Sequence, residues 1–203
     1  MTLKEFGLKL EELNEAYDEL TRTEEKPRKP EIGETIEVAG ITWRVLDKLE
    51  SGYLVISEDF YGEKRPFDSN CNNWIVSNLR NELNIELKNK IEDELGTGVL
   101  VPFERNLLSL DGQDEYGTCE DVVSMLTVDE YRKYRKLLPN KSEYWWTITP
   151  DSTPCNRNSK WICIVSPGGD IDCDCYYDRD GVRPVCILKS DIFVSRVEEE
   201  DDE

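Results

Sequence analysis

Seven cysteines, at positions 71, 119, 155, 163, 173, 175 and 186, and not one histidine bound the chemistry open to this 203-residue chain. Without histidine there is no Ser-His-Asp or Cys-His nucleophile pair and no imidazole general base. Carboxylate catalysis stays possible, but 44 acidic residues make chance carboxylate pairs common, so a pair carries no signal by itself. Cys173 and Cys175 are separated by one residue, too close for a zinc knuckle, and a zinc site would need four cysteines or carboxylate help. An odd cysteine count behind a charged N-terminus, rather than a secretory leader, predicts reduced thiols that are mostly buried. We therefore expect no catalytic residue, no bound metal and no cofactor. Asp170, Asp172 and Asp174 alternate as on one face of a strand and could take Ca²⁺. Solvated acids on an exposed face are the simpler reading.

A formal charge of −19 opposes contact with nucleic-acid backbones and anionic membranes. The terminal run Glu198 to Glu203 is entirely acidic and reads as a solvated tail over 197–203. The sharper alternative is an acidic surface that imitates nucleic acid and fills a basic groove on a partner. No stretch has the ~18 apolar residues of a membrane span. These features predict a cytoplasmic location.

Recognition, if it is not catalytic, needs exposed aromatic and polar groups on a stable scaffold. The segment YWWTITP places Tyr144, Trp145 and Trp146 in a row before Ile148 and Pro150. As a strand it buries one tryptophan, assigned to Trp145, and leaves Tyr144, Trp146 and Ile148 as binding candidates. The polar loops that follow add Asp151, Asn156 and Arg157, then Tyr177, Asp178, Arg179 and Asp180. Trp43, Trp74 and Trp161 sit among apolar neighbours and read as core. Arg80 and Arg183 read as structural, each needing a carboxylate or several carbonyls to offset desolvation.

The elements that position these residues follow from periodicity. Thr2-x-x-Glu5 is a capping box, and Leu3, Phe6, Leu10, Leu13, Tyr17 and Leu20 follow a 3-4 spacing. That predicts an amphipathic helix over 1–22, able to self-associate through residues 3–20 as a short coiled coil. Residues 23–35, rich in charge and proline, read as a linker, and 36–196 as one domain. Within it, Ile36-Val38, Ile41-Val45 and Tyr53-Ile56 predict three antiparallel strands, with a turn at Ala39-Gly40. Trp74, Leu79, Leu83, Leu87, Ile91 and Leu95 predict a helix in steps of mostly four. Thr127 with Glu130 caps a second, short helix after a strand at 122–126. KWICIVS, DIDCDCYY and VRPVCIL predict further strands separated by polar turns.

The order of motifs is itself informative. Trp43-Arg44-Val45-Leu46, then YLVISE, Trp74-x-x-Ser77-x-Leu79-Arg80, VVSMLTVDEY, Trp145-Trp146-x-x-x-Pro150 and Gly181-Val182-Arg183-Pro184-Val185 run in sequence from about Ile36 to Leu188. This order resembles an uncharacterised domain family frequent in Gram-positive bacteria and their phages, which is similar to the C-type-lectin-like and formylglycine-generating-enzyme-like fold. The resemblance implies an α+β domain: an irregular antiparallel sheet, two helices and long loops. It also implies a phage or prophage origin, placing the protein in the host cytoplasm or the virion, but no activity; the aromatic and polar loops of the C-terminal half, with no nucleophile or metal cluster in view, predict a non-enzymatic protein-binding role. The enzyme branch binds copper through paired cysteines, a spacing that Cys173, Cys175 and Cys186 do not reproduce, so an oxidase is disfavoured. Where the family has an arginine in its W-W-x-R-S-P motif, this chain has Ile148.

Overall fold

A computed structural model describes residues 29–190. The helix and acidic tail expected at the two ends lie outside the described residues. The domain is α+β, with antiparallel sheets and two helices.

The three strands read from the sequence are present as β1 (Thr35–Val38), β2 (Ile41–Lys48) and β3 (Tyr53–Ser57). Ala39 and Gly40 both take positive φ, 56° and 63°, the two-residue geometry whose twist matches the flanking strands. The remaining strands are β4 (Phe103–Asn106), β5 (Thr118–Asp121), β6 (Val123–Ser124), β7 (Trp145–Pro150), β8 (Trp161–Val165), β9 (Ile171–Cys175) and β10 (Val185–Leu188). They form a five-stranded sheet ordered β1-β2-β3-β10-β6, a β4-β5 pair and a three-stranded β7-β8-β9 sheet.

The sequence reading placed the start of the domain at Ile36, but the chain docks earlier. Gly33 N–H donates to Val45 O at 2.8 Å, Val45 N–H to Glu34 O at 2.9 Å, and Arg44 Nη1 to Gly33 O at 2.7 Å. All three engage backbone groups of residues 33 and 34, which a scan for apolar side chains does not register.

Helix α1 combines α-helical Asn78–Glu82, a π turn over Leu83–Leu87 and α-helical Lys88–Leu95. It begins later than its apolar period suggests. Trp74 lies in a separate 3₁₀ turn, Trp74–Val76, and Ser77 breaks the chain into extended geometry with its Oγ accepting from Arg80 N–H. The π turn has a physical use. Steps of four overshoot an α turn by ~40° each, which would carry Leu79, Leu83, Leu87 and Ile91 progressively round the helix. A turn with more residues per revolution offsets that drift, and all four side chains stay buried. Helix α2 (Val128–Tyr134) has the full Thr127–Glu130 capping box that the sequence predicts.

The apolar side chains divide between two clusters by strand alternation. Tyr53, Val55, Cys186 and Leu188 join α1 in one, with Phe67 and Trp74. Leu54, Ile56, Val185 and Ile187 join the tyrosines of α2, Tyr131 and Tyr134, in the other. Each strand of the β3–β10 pair thus contributes to both clusters, and both strands are buried throughout.

Strand β7 is shared in the same way, which corrects two binding assignments. Trp146 and Ile148 are fully buried in the first cluster and Trp145 in the second. Both faces of β7 are covered, so the alternation that was to leave one tryptophan in water has no wet side. Trp146 packs edge-on to Phe67 at 5.9 Å and donates Nε1–H to Arg65 O at 2.9 Å, while Trp145 packs against Tyr131 at 5.6 Å. Neither Trp146 nor Ile148 can meet a partner.

Candidate functional site

With β7 closed off, the exposed aromatics lie elsewhere. Trp161, read as core, is 38% exposed. It opens β8, and the four residues after it are buried; the strand projects its first side chain past the edge of the core. Tyr177, 49% exposed, stands in the turn after β9. Lys160 joins them, its Nζ 5.5 Å from the Trp161 ring and 5.4 Å from the Tyr177 ring. Tyr176 packs edge-on beneath Tyr177 at 5.3 Å.

The backbone under this patch is tied on several sides. Tyr176 N–H donates to Lys160 O and Asp68 N–H to Tyr176 O, both at 3.0 Å, and Asp178 N–H closes a turn onto Cys175 O at 2.9 Å. Farther along, Arg65 N–H reaches Asp180 O, and Gly181 exchanges bonds with Tyr144 O and Trp146 N–H. Gly181 is required there: a Cβ would stand 2.6 Å from the Phe60 ring. The 151–161 loop is held by Asn72, fully buried, whose Nδ2 donates to Ser152 O at 2.9 Å and Trp161 O at 3.0 Å while its Oδ1 accepts from Tyr116 at 2.7 Å. Nothing in the sequence singles out Asn72, because its contacts lie 44 to 89 residues away.

The acidic residues of the same turn converge. The ligating atoms of Asp174, Cys175 and Asp178 lie within 4.8 Å of one another. Asp174 interacts electrostatically with both Asp178 and Asp180. Burial, then the charges of Asp174 and Asp178, push the Asp180 carboxyl up to about 6, against the opposing pull of Lys64. Burial and Asp178 likewise raise Asp174. The alternating acids Asp170, Asp172 and Asp174 do not act as one set; Asp174 turns toward Asp178 and Asp180.

A raised carboxyl pKa means that the folded state holds more protons than the unfolded chain between about pH 3.8 and 6. Asp180 is therefore tolerated below that window and destabilises the fold as pH rises through it. Asp180→Asn should raise stability at pH 7 by on the order of 2–3 kcal/mol, with the gain vanishing near pH 4. Urea denaturation of both proteins in chelator at the two pH values checks this; an equal gain at both would remove the electrostatic explanation.

The other candidates scatter. Asp151 accepts from Asn158 Nδ2, and Asn156 Nδ2 donates to Asp111 Oδ2 at 3.0 Å. Ser109 and Ser152 also bond Asp111 and hold its carboxyl down at about 2, so this group organises the loop. Arg157 and Arg179 are exposed. Tyr144 is half exposed and meets the site only through its carbonyl. Trp43 and Trp74 are buried, their indole N–H groups on Val38 O and Asp121 Oδ2.

The two structural arginines differ in their anchors. Arg80 uses a carboxylate, Asp121, at 2.6 Å. Arg183 is fully buried, donates Nε and Nη2 to Ser57 O and lies 5.2 Å from the Trp145 ring. Burial pushes its pKa down to about 10. The cysteines are free thiols; Cys163, Cys175 and Cys186 are buried, and Cys155 is exposed, contrary to the general expectation.

A groove of about 620 Å³ runs beside α1 and β5 past Arg80, Asn84 and Asp121. Its polar groups are occupied: Arg80 bonds Asp121, Ile75 O and Glu120 O, and Asn84 bonds Arg80 O and Val123. Among the described residues no helix is long and apolar enough to cross a membrane.

What the fold and site define is an α+β protein with an aromatic and acidic patch at the end of the β8–β9 pair, where β8 begins and β9 finishes. Comparison with family models, with curated proteins and with solved structures found no match for this chain.

Proposed function

We propose that the chain is a non-enzymatic protein-binding module that meets its partner through the patch around Trp161, Tyr177 and Lys160. The observation that carries this reading is the exposure of two large aromatic rings on a backbone hydrogen-bonded on several sides. Trp and Tyr dominate the binding energy of protein interfaces, and a pre-ordered backbone lowers the entropic cost of association. Asp178 and Arg179, next to Tyr177 in the chain, supply a polar rim. A C-type-lectin-like scaffold, a phage or prophage origin and self-association through residues 3–20 belong to the same proposal and rest on the sequence motifs. The charge of −19 favours one second reading, an acidic inhibitor that occupies a nucleic-acid groove on a host protein.

The test is capture from lysate of the bacterium that carries the gene, at low and high salt. Trp161→Ala and Tyr177→Ala should each cut retention of the captured partner tenfold or more, with little change in melting temperature because neither ring belongs to either apolar cluster. Retention unaffected by both substitutions but abolished by salt would transfer support to the nucleic-acid mimic.

A further inference from the structure

Asp180 holds an unusual position for a carboxylate. It is 5% exposed, and its buried Oδ2 accepts no hydrogen bond. The charge of another acceptor, Asp174, acts on it, and Asp174 itself adjoins Asp178. Ionised carboxylates accept and cannot donate, so none of the three satisfies another. The local lysines stand at its margin: Lys64 pairs with Glu143 and only partly offsets the burial of Asp180, and Lys160 lies between the Trp161 and Tyr177 rings, next to Cys175. What the cluster lacks is a positive charge at its centre.

The dimensions suit an ion. Donor atoms on opposite sides of a cation bound at ~2.4 Å are ~4.8 Å apart, and the donors of Asp174, Cys175 and Asp178 lie within 4.8 Å of one another. From this geometry we propose that Asp174, Asp178 and the Cys175 sulfur hold a divalent cation at the end of β9, beside the buried and unpartnered Asp180 carboxylate. Carboxylate oxygens are hard donors suited to Ca²⁺ or Mn²⁺, whereas recruitment of the thiolate would favour Zn²⁺. The ion would tie the end of β9 to Asp178 and fix the turn that carries Tyr177. The site goes beyond the protein-binding reading and does not depend on it.

The experiment uses the full chain stripped with chelator and titrated with CaCl₂, MnCl₂ or ZnCl₂ at pH 7, followed by calorimetry and thermal unfolding. At least one ion should bind one to one and raise the melting temperature by about 5–10 °C at a hundredfold excess over Kd. Asp174→Asn should abolish that rise, and Asp178→Asn should weaken binding at least tenfold; both carboxylates are partly exposed, so neither change threatens the fold. Ions held by the acidic C-terminal run bind parent and variants alike, so they do not mimic this result. Cys175→Ser separates the chemistries: Ca²⁺ or Mn²⁺ binding should survive it, and Zn²⁺ binding through sulfur should not. If no ion shifts the parent, or if Asp174→Asn binds as the parent does, the proposal fails and the carboxyls share a proton instead.

Discussion

Asp121→Ala should lower the free energy of unfolding by about 3–5 kcal/mol, the range for breaking a buried pair by removing one partner. The carboxylate ends β5, its side chain is wholly inaccessible, and it makes two directional bonds. Oδ1 accepts from Arg80 Nε at 2.6 Å and Oδ2 from Trp74 Nε1 at 2.7 Å. Removing it strands a buried indole N–H, at about 1–3 kcal/mol, and strips the guanidinium of its counter-charge. Arg80 is partly exposed and keeps two carbonyl partners, which limits its share. The effect should therefore be shared between the two contacts. Arg80→Met in the Asp121→Ala background should cost less than in the parent, and Trp74→Phe should behave the same way. Chemical denaturation of the resulting cycles checks this. A loss below about 1 kcal/mol for Asp121→Ala would mean that the pair contributes nothing beyond its exposed equivalents.

What the sequence made legible, and what it hid, divides along the range of the interactions. The β1–β3 strands, the Thr127–Glu130 cap and the buried stripe of α1 all arise from contacts within a few residues, and periodicity registers them. The fate of YWWTITP does not arise locally. Alternation correctly places Trp145 and Trp146 on opposite sides of β7, but whether each side is wet depends on Phe67, Trp74 and Tyr131, and Tyr131 is the nearest of these along the chain. Trp161 fails for the converse reason, since its apolar neighbours are buried while the strand end carries it outward. The site was legible in part. Tyr177, Asp178 and Asp180 stood out as a mixed aromatic and charged loop, and the carboxylates of Asp174, Asp178 and Asp180 are spaced D-x-x-x-D-x-D in plain view. Lys160 and Asn72 were not, because one is an ordinary surface type and the other acts on backbone carbonyls 80 residues away and more.

Arg105→Met should cost a comparable 3–5 kcal/mol at neutral pH. Arg105 belongs to β4, is 2% exposed, and grips Glu130 with both terminal nitrogens, at 2.7 and 2.5 Å. Its Nη2 also donates to Met125 O at 2.8 Å, and the guanidinium stacks 4.8 Å from the Phe103 ring. Glu130 is at the same time the N3 residue of the α2 cap, accepting from Thr127 N–H at 2.8 Å. One carboxylate thus ties β4 to the start of α2, and methionine fills the space while leaving that carboxylate unpaired. Burial pushes the Glu130 carboxyl up, but Arg105 and the Thr127 amide outweigh it and hold it below the ordinary 4.5. A depressed carboxyl stabilises the fold above its unfolded value and loses that contribution as pH falls through the folded one. The gap between parent and Arg105→Met should therefore be full above about pH 4.5 and narrow on further acidification. Glutamine at 130 can still serve the capping box, so Arg105→Met with Glu130→Gln should recover much of the loss, as buried pairs replaced by neutral groups often do. Arg105→Lys should not, because a single ammonium cannot reproduce the two-pronged grip and the bond to Met125 O. If the lysine variant matched the parent, the charge alone would suffice and the forked geometry would carry no weight.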